Sequence, residues 1–216
     1  MSDQPWRLWH LISAALPTGA FQFSQGLETA IADGHISSAQ DTQTWLHAQM
    51  CHNLGRVDLP IITRVYGACD ANDLRQIERW DAWSIACRET DELRAEERQM
   101  AIALQQWGKS VGENWPETSG FTAQFTIAAH ANGASMAETQ QGYCWMWLEN
   151  MCLVATKLVP LGHLSAQQIL RQLAGEIEPI VKLASSIGDE DIGACMPGHL
   201  ILSAKHETQP SRLFRS

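Results

Sequence analysis

Histidine and cysteine side chains are the first residues in this sequence that could bind a metal ion. His47 and Cys51 are four residues apart, so a helix would place them on one face, and His52 follows directly. A structural zinc site needs four ligands, and no second pair lies nearby in the sequence. We therefore predict an ordinary helix here, with an exposed histidine and a buried thiol, rather than a metal site.

Softer ligands occur near the end of the sequence, in the stretch CMPGH (195–199) and at His206. A thiol, a thioether and imidazoles suit soft metal ions, but their spacing matches no closed site. We predict no dedicated metal site, and transient metal binding by Cys195, Met196, His199 and His206 stays open as an alternative.

Motifs for catalysis are missing from the sequence. It contains no G-x-S-x-G, H-E-x-x-H or S-x-x-K pattern. The stretch GKSVG (108–112) has a Lys-Ser pair, but it lacks the upstream glycine of a phosphate-binding loop and follows a helical pattern instead of a strand. We therefore predict no catalytic residue and no nucleotide site.

The hydrophobic pattern that must position any functional residue is helical throughout. Ser38 precedes a helix expected to end at Gly55, Ser135 and Glu138 form a capping box that opens the longest helix, and Pro160 ends it. Pro179 is expected to break a later helix. The charged stretch RETDELRAEERQM (88–100) is interpreted as the solvated face of a helix. The prediction is an all-α, single-domain bundle of about eight to ten helices.

The domain is expected to comprise residues 1–187 and a largely irregular C-terminal tail, residues 188–216, that belongs to it. The 216 residues carry a net charge of −9, which argues against binding to nucleic acid or to an anionic membrane surface. Six scattered cysteines without a C-x-x-C pair are typical of reduced thiols in a cytoplasmic protein. Asp3 and His10 argue against a signal peptide, and no run of 18 apolar residues is present.

Three stretches without evident chemistry remain to be explained. The N-terminal motif is ALPTGAFQFSQGLE (15–28), the helix-break motif is KLVPLGHLSAQQIL (157–170), and the terminal pentapeptide is RLFRS (212–216). The pentapeptide places arginines around Leu213 and Phe214, and exposed aromatic and arginine side chains are typical of docking surfaces. The alternative is a pentapeptide folded back on its own domain.

Together these stretches resemble the UreF family of urease accessory proteins. Family members carry S-P-A-L-P-V-G-A-F-S-Y-S-Q-G-L-E near the start, then N-Q-x-x-A-A-x-K-L-x-P-L-G-Q, and close with S-R-L-F-R-S. This chain has AALPTGAFQFSQGLE, NMCLVATKLVPLGH and SRLFRS in the same order. It departs from the pattern at Gln22 and Phe23, where Ser-Tyr is usual, and at His163, where glutamine is frequent.

The resemblance implies an all-helical, dimeric maturation factor without catalytic residues or a bound cofactor. Its partners would be a UreD (UreH)-type protein, a UreG-type GTPase and apo-urease, with nickel and GTP acting through those partners. On this basis the surface for the UreD-type protein is assigned to Arg212, Leu213, Phe214, Arg215 and Ser216. The GTPase-facing surface is assigned to Lys157, Pro160, Leu161, Gly162, Gln167 and Arg171. The structural motif is assigned to Leu16, Pro17, Gly19, Phe21, Ser24, Gln25, Gly26 and Glu28.

Further hypotheses accompany this assignment. Lys157 could instead serve as a cation at a helix C-terminus, where the helix dipole favours it. The chain could be a small helical metal carrier or a helical hydrolase, which would need a pocket where titratable groups converge. The terminal pentapeptide is expected to be mobile in the isolated chain and to become ordered when the UreD-type partner binds.

Overall fold

The computed structural model describes residues 4–159, 161–194 and 196–216, and Pro160 and Cys195 lie outside the described residues. Within the described ranges the chain forms helices and no strand. The α-helices are α1 (Trp6–Leu11), α2 (Leu27–Ala32), α3 (Ala39–Gln49), α4 (Leu59–Asp70), α5 (Leu74–Ala86), α6 (Asp91–Ser110), α7 (Phe121–Ala131), α8 (Met136–Leu158), α9 (His163–Ala174), α10 (Ile177–Ala184) and α11 (Pro197–His206). The predicted all-α class is confirmed.

Helices α3 and α4 are joined without a break by a π-helical segment, Met50–Asp58. The expected helix end at Gly55 is therefore wrong. A Cβ at Gly55 would lie 3.2 Å from Ile180 Cγ2, so the glycine is explained by close packing against α10 rather than by a helix cap. If α3, the π-helical segment and α4 are counted as one continuous helix, the described residues contain ten helices besides the short 3₁₀ turns. This number agrees with the expected eight to ten.

The core surrounds α7, in which every residue from Phe121 to Ala129 is buried. Helices α4 and α6 pack against α7, and α8 packs against α4, α9 and α10. The predicted capping box of Ser135 and Glu138 begins α8, which ends at Leu158. No helix among the described residues is both long enough and apolar enough to span a bilayer.

Two elements differ from the expectation. The break between α9 and α10 comes at Gly175–Glu176, and Pro179 lies in the first turn of α10, where a missing N–H is tolerated. The C-terminal tail contains α11, which the sequence did not predict. Its buried face includes His199, Ser203 and His206, so apolar periodicity could not reveal it.

Candidate partner-binding surface

The N-terminal motif folds into a tight loop that only glycine permits at two positions. Gly19 and Gly26 have φ of 78° and 79°, in the left-handed region. A Cβ at Gly26 would also lie 3.4 Å from the backbone nitrogen of Ser203, so α11 packs directly against the loop. The motif thus turns sharply while it contacts the C-terminal tail.

The terminal pentapeptide is bound along this loop by backbone hydrogen bonds. The Arg215 N–H donates to the Gln22 carbonyl at 2.8 Å, and the Ser24 N–H donates to the Ser216 backbone oxygen at 2.8 Å. The Ser24 hydroxyl donates to the same oxygen. Two stretches at opposite ends of the sequence therefore form one unit.

Glu28, the last residue of the N-terminal motif, anchors the pentapeptide. Its two carboxylate oxygens accept the N–H groups of Leu213 at 2.7 Å and Phe214 at 3.0 Å. The Nε2 atom of His206 lies 3.2 Å from Glu28, and His206 Nδ1 lies 2.7 Å from Glu92. A buried glutamate that satisfies two backbone donors fixes the direction in which the neighbouring side chains project.

The C-terminal half of α8 brings the helix-break motif to the same place. The Lys157 ammonium lies 5.9 Å from the Phe21 ring centroid and 5.7 Å from that of Phe214, within the range of cation–π attraction. The Asn150 amide donates to the Ala20 carbonyl at 3.1 Å. All three singled-out stretches therefore meet at the end of α8.

Several side chains at this meeting point face solvent. Phe21 is 53% exposed and Leu213 is 64% exposed, whereas Phe214 is only 6% exposed. Lys157 and the two pentapeptide arginines are also exposed. We name this set the convergent surface: Phe21, Lys157, Arg212, Leu213 and Arg215.

The pentapeptide differs from the expected exposed Leu-Phe pair, because Phe214 is buried, and its expected mobility in the isolated chain stays a prediction. It is folded back on its own domain, because Glu28 and Ser24 satisfy its backbone groups and Phe214 packs into the main core. Ser216 is buried as well. Leu213 and the two arginines are the pentapeptide residues that the isolated chain leaves accessible.

Lys157, assigned from the sequence to a different partner than the pentapeptide, contacts Phe214. Lys157 also lies in the last turn of α8, where the helix dipole favours a cation. The same ammonium can therefore interact with the helix C-terminus and with the two rings. Leu161 is half-buried and Gly162 exposed in the loop after α8, while Gln167 and Arg171 lie exposed and one turn apart on α9. Pro160, the remaining residue of that assignment, lies outside the described residues.

The remaining residues of the N-terminal motif support the loop rather than the exposed face. Leu16 and Ser24 are buried, and Pro17 is exposed. The Gln25 amide donates to Glu96 at 2.7 Å, and its carbonyl oxygen accepts the Trp147 indole N–H at 2.8 Å. Gln25 therefore ties the loop to both α6 and α8.

A buried cluster of charges lies beneath the loop. Glu96 and Glu97 are each 7% exposed, so the expected solvated face of α6 is wrong for these two residues. Arg88 forms ion pairs with Asp58 and with Glu97. The signal was present in the sequence, since Glu97 shares a helical face with Leu93 and Met100.

Burial controls the titration of this cluster. It raises the pKa of Glu96 to about 7, and it raises that of Asp58 to about 6 although Arg88 lies beside it. The pKa of Arg88 stays well above its ordinary value because Asp58 and Glu97 outweigh the effect of burial.

The candidate metal ligands are dispersed in the fold. The His47 Nε2 and Cys51 Sγ atoms lie 3.6 Å apart, and burial raises the pKa of the Cys51 thiol. His199 Nε2 lies 3.0 Å from the Gln25 carbonyl, and His206 is held between two glutamates. Across the described part of the chain, no three His, Cys, Asp or Glu side chains form a group that could hold a metal ion.

Comparison with known proteins gives one consistent result. The family model UreF matches residues 36–174. The chain is similar to the urease accessory protein UreF of Teredinibacter turnerae, with 38% identity over 100% of both chains. It is 41% identical to that of Hahella chejuensis over 97% of both chains, and 37% identical to that of an Enterobacter species over 99% of this chain and 98% of the relative.

Proposed function

We propose, from the premise that the chain belongs to the UreF family of urease accessory proteins, that it is a non-catalytic urease maturation factor. In this proposal it joins a UreD (UreH)-type protein and a UreG-type GTPase to apo-urease in the cytoplasm and supports GTP-dependent nickel insertion. Nickel and GTP are bound by the partners, and the chain acts as a homodimer.

The observation that carries the proposal is the convergent surface. Three stretches that are far apart in the sequence meet at the end of α8, where Lys157 lies near the Phe21 and Phe214 rings. The pentapeptide adds the exposed Leu213 and two exposed arginines, of which Arg212 pairs with Glu92 and Arg215 donates to Gln99. Exposed apolar groups rimmed by cations are typical of a protein-binding surface. The backbone of the patch is fixed by Glu28 and Ser24, so little ordering entropy is lost on binding.

We assign the convergent surface to the UreD-type protein. Leu161 and Gly162, with Gln167 and Arg171 on α9, are assigned to the GTPase, and Pro160 belongs to the same assignment by its position in the sequence. Lys157 contacts the pentapeptide, so we move it to the border between the two surfaces.

Reconstitution of urease in cells tests the proposal. Urease subunits and the other accessory proteins are expressed with or without this chain, and nickel content and urease activity are measured on the purified enzyme. We expect nickel-poor, inactive urease without the chain and restored nickel and activity with it. Equal nickel content in both preparations would contradict the proposal, and turnover of a small substrate by the isolated chain would favour a hydrolase.

A further inference from the structure

Glu96 occupies an unusual position beneath the pentapeptide, because it is buried with neutral partners. Its Oε1 atom accepts the Gln25 amide at 2.7 Å, and its Oε2 atom lies 3.0 Å from the Ser216 hydroxyl. Burial of a carboxylate without a paired cation is costly, and protonation removes that cost.

The nearest cation is already engaged. The single guanidinium of Arg88 pairs with both Asp58 and Glu97, so three buried carboxyl groups share one positive charge. Glu97 adjoins Glu96 in the sequence, and its charge further disfavours the ionised form of Glu96. Burial is the largest influence on Glu96 and favours its protonated form, while the hydrogen bonds donated by Gln25 and Ser216 and the charge of Arg88 favour the ionised form.

A cavity of about 60 Å³ adjoins Glu96 and is lined by residues from several helices and loops. The charged and titratable groups that line it with Glu96 are Asp58, Cys87, Arg88, Glu89, Glu97, Tyr143 and His199. Burial lowers the pKa of His199, which favours the neutral ring. The pentapeptide itself also contacts Glu28 and Glu92, and its Arg215 donates to Gln99.

We propose that Glu96 is a proton-dependent latch for the terminal pentapeptide. Docking of the pentapeptide against the N-terminal motif is strongest when the Glu96 carboxyl carries a proton, and it weakens when that proton is lost. The latch is a property of this chain and holds whichever protein binds the convergent surface.

The direction of the pH effect follows from the two states of Glu96. Beneath the docked pentapeptide the pKa is raised to about 7, whereas release exposes the carboxyl and returns its pKa towards the ordinary 4.5. A raised pKa in the docked state means that docking is most stable below the released-state pKa and weakens as pH rises through the docked-state pKa. With these values the docking equilibrium constant falls about tenfold between pH 6 and pH 8.

NMR of the intact chain measures this equilibrium. Saturation-transfer exchange on the Leu213 and Phe214 amides, which donate to Glu28 only when docked, gives the ratio of docked to released pentapeptide at each pH. We expect the roughly tenfold fall for the wild type and a pH-independent ratio for Glu96→Gln. A constant ratio in the wild type, or the same pH dependence in Glu96→Gln, would overturn the latch.

A matched substitution on the same helix controls for other titrating groups. Glu92 contacts Arg212 and His206, so Glu92→Gln should loosen the pentapeptide at every pH and keep the wild-type pH dependence. If Glu96→Gln fails to fold, carboxyl ¹³C titration of Glu96 in the wild type decides. A midpoint within a unit of 7 supports the latch, and a midpoint near 4.5 overturns it.

Discussion

At the residue scale, single side chains of the N-terminal motif hold the terminal pentapeptide in place. Glu28 accepts two backbone N–H groups of the pentapeptide with its two oxygens. Lys157 places its ammonium near Phe21 and Phe214 at once. The exposed residues of the convergent surface therefore depend on groups that are themselves largely hidden from a partner.

Glu28→Gln tests this dependence. The amide offers one acceptor oxygen instead of two and turns an N–H₂ group towards the Leu213 or Phe214 N–H. We expect the free energy of unfolding to fall by about 1–3 kcal/mol, measured by urea denaturation. Glu78→Gln, on the exposed face of α5, is the control and should change stability by less than about 0.5 kcal/mol. Equal free energies of unfolding for the two variants would contradict the anchoring role of Glu28.

The neighbours Leu213 and Phe214 separate binding from stability. Phe214→Ala removes a side chain packed in the core and should cost about 3–5 kcal/mol of unfolding free energy. Leu213→Ala removes an exposed side chain, so it should cost under about 0.5 kcal/mol yet weaken capture of the UreD-type protein. Capture at wild-type strength by a folded Leu213→Ala protein would argue against the convergent surface.

Residue types alone predicted part of this arrangement. The glycines of the N-terminal motif and the arginines of the pentapeptide stand out in the sequence, but the two stretches meet through Ser24, Gln25 and Ser216, about 190 residues apart. No local pattern encodes such a contact. The helical interpretation of residues 88–100 likewise could not separate buried from solvated glutamates by charge, although the positions of Leu93 and Met100 mark the buried face.

At the element scale, helix boundaries were predictable where a cap or proline decides them, as at Ser38, Ser135 and Leu158. They were not predictable where tertiary packing decides them. Gly55 lies inside a continuous π-helical segment because α10 packs against it, and α11 hides a polar face that includes His199 and His206. Helix α11, which sequence periodicity could not detect, packs against the N-terminal motif and so supports the convergent surface.

The ion pairs of Arg88 with Asp58 and Glu97 connect the loop between α5 and α6 to the π-helical segment and to α6. Arg88→Met leaves Asp58 and Glu97 buried without a cation, so the free energy of unfolding should fall by about 3–5 kcal/mol. Arg79→Met is the control. The exposed guanidinium of Arg79 lies 5.0 Å from the Trp80 ring centroid, so its loss should lower the free energy of unfolding by about 1 kcal/mol or less. Thermal denaturation of the two variants compares them directly, and similar losses would contradict a structural role for the cluster.

At the scale of the whole molecule, the proposed function requires the chain to bind its partners through its surface. A homodimer would present the convergent surface twice and place two partners symmetrically. Sedimentation equilibrium should give twice the 24.0 kDa mass of one chain. A single-chain mass at concentrations where urease maturation proceeds would contradict the proposed dimer.

The measurement that tests the central claim most directly is the affinity of a purified UreD-type protein for this chain and its Lys157→Glu variant. If the three motifs form one binding surface, the charge reversal should weaken binding at least about tenfold while the circular dichroism stays unchanged. Lys182→Glu, an exposed charge reversal on α10, should bind as the wild type does. Wild-type affinity of Lys157→Glu for the UreD-type protein, with a loss confined to the GTPase, would contradict the account.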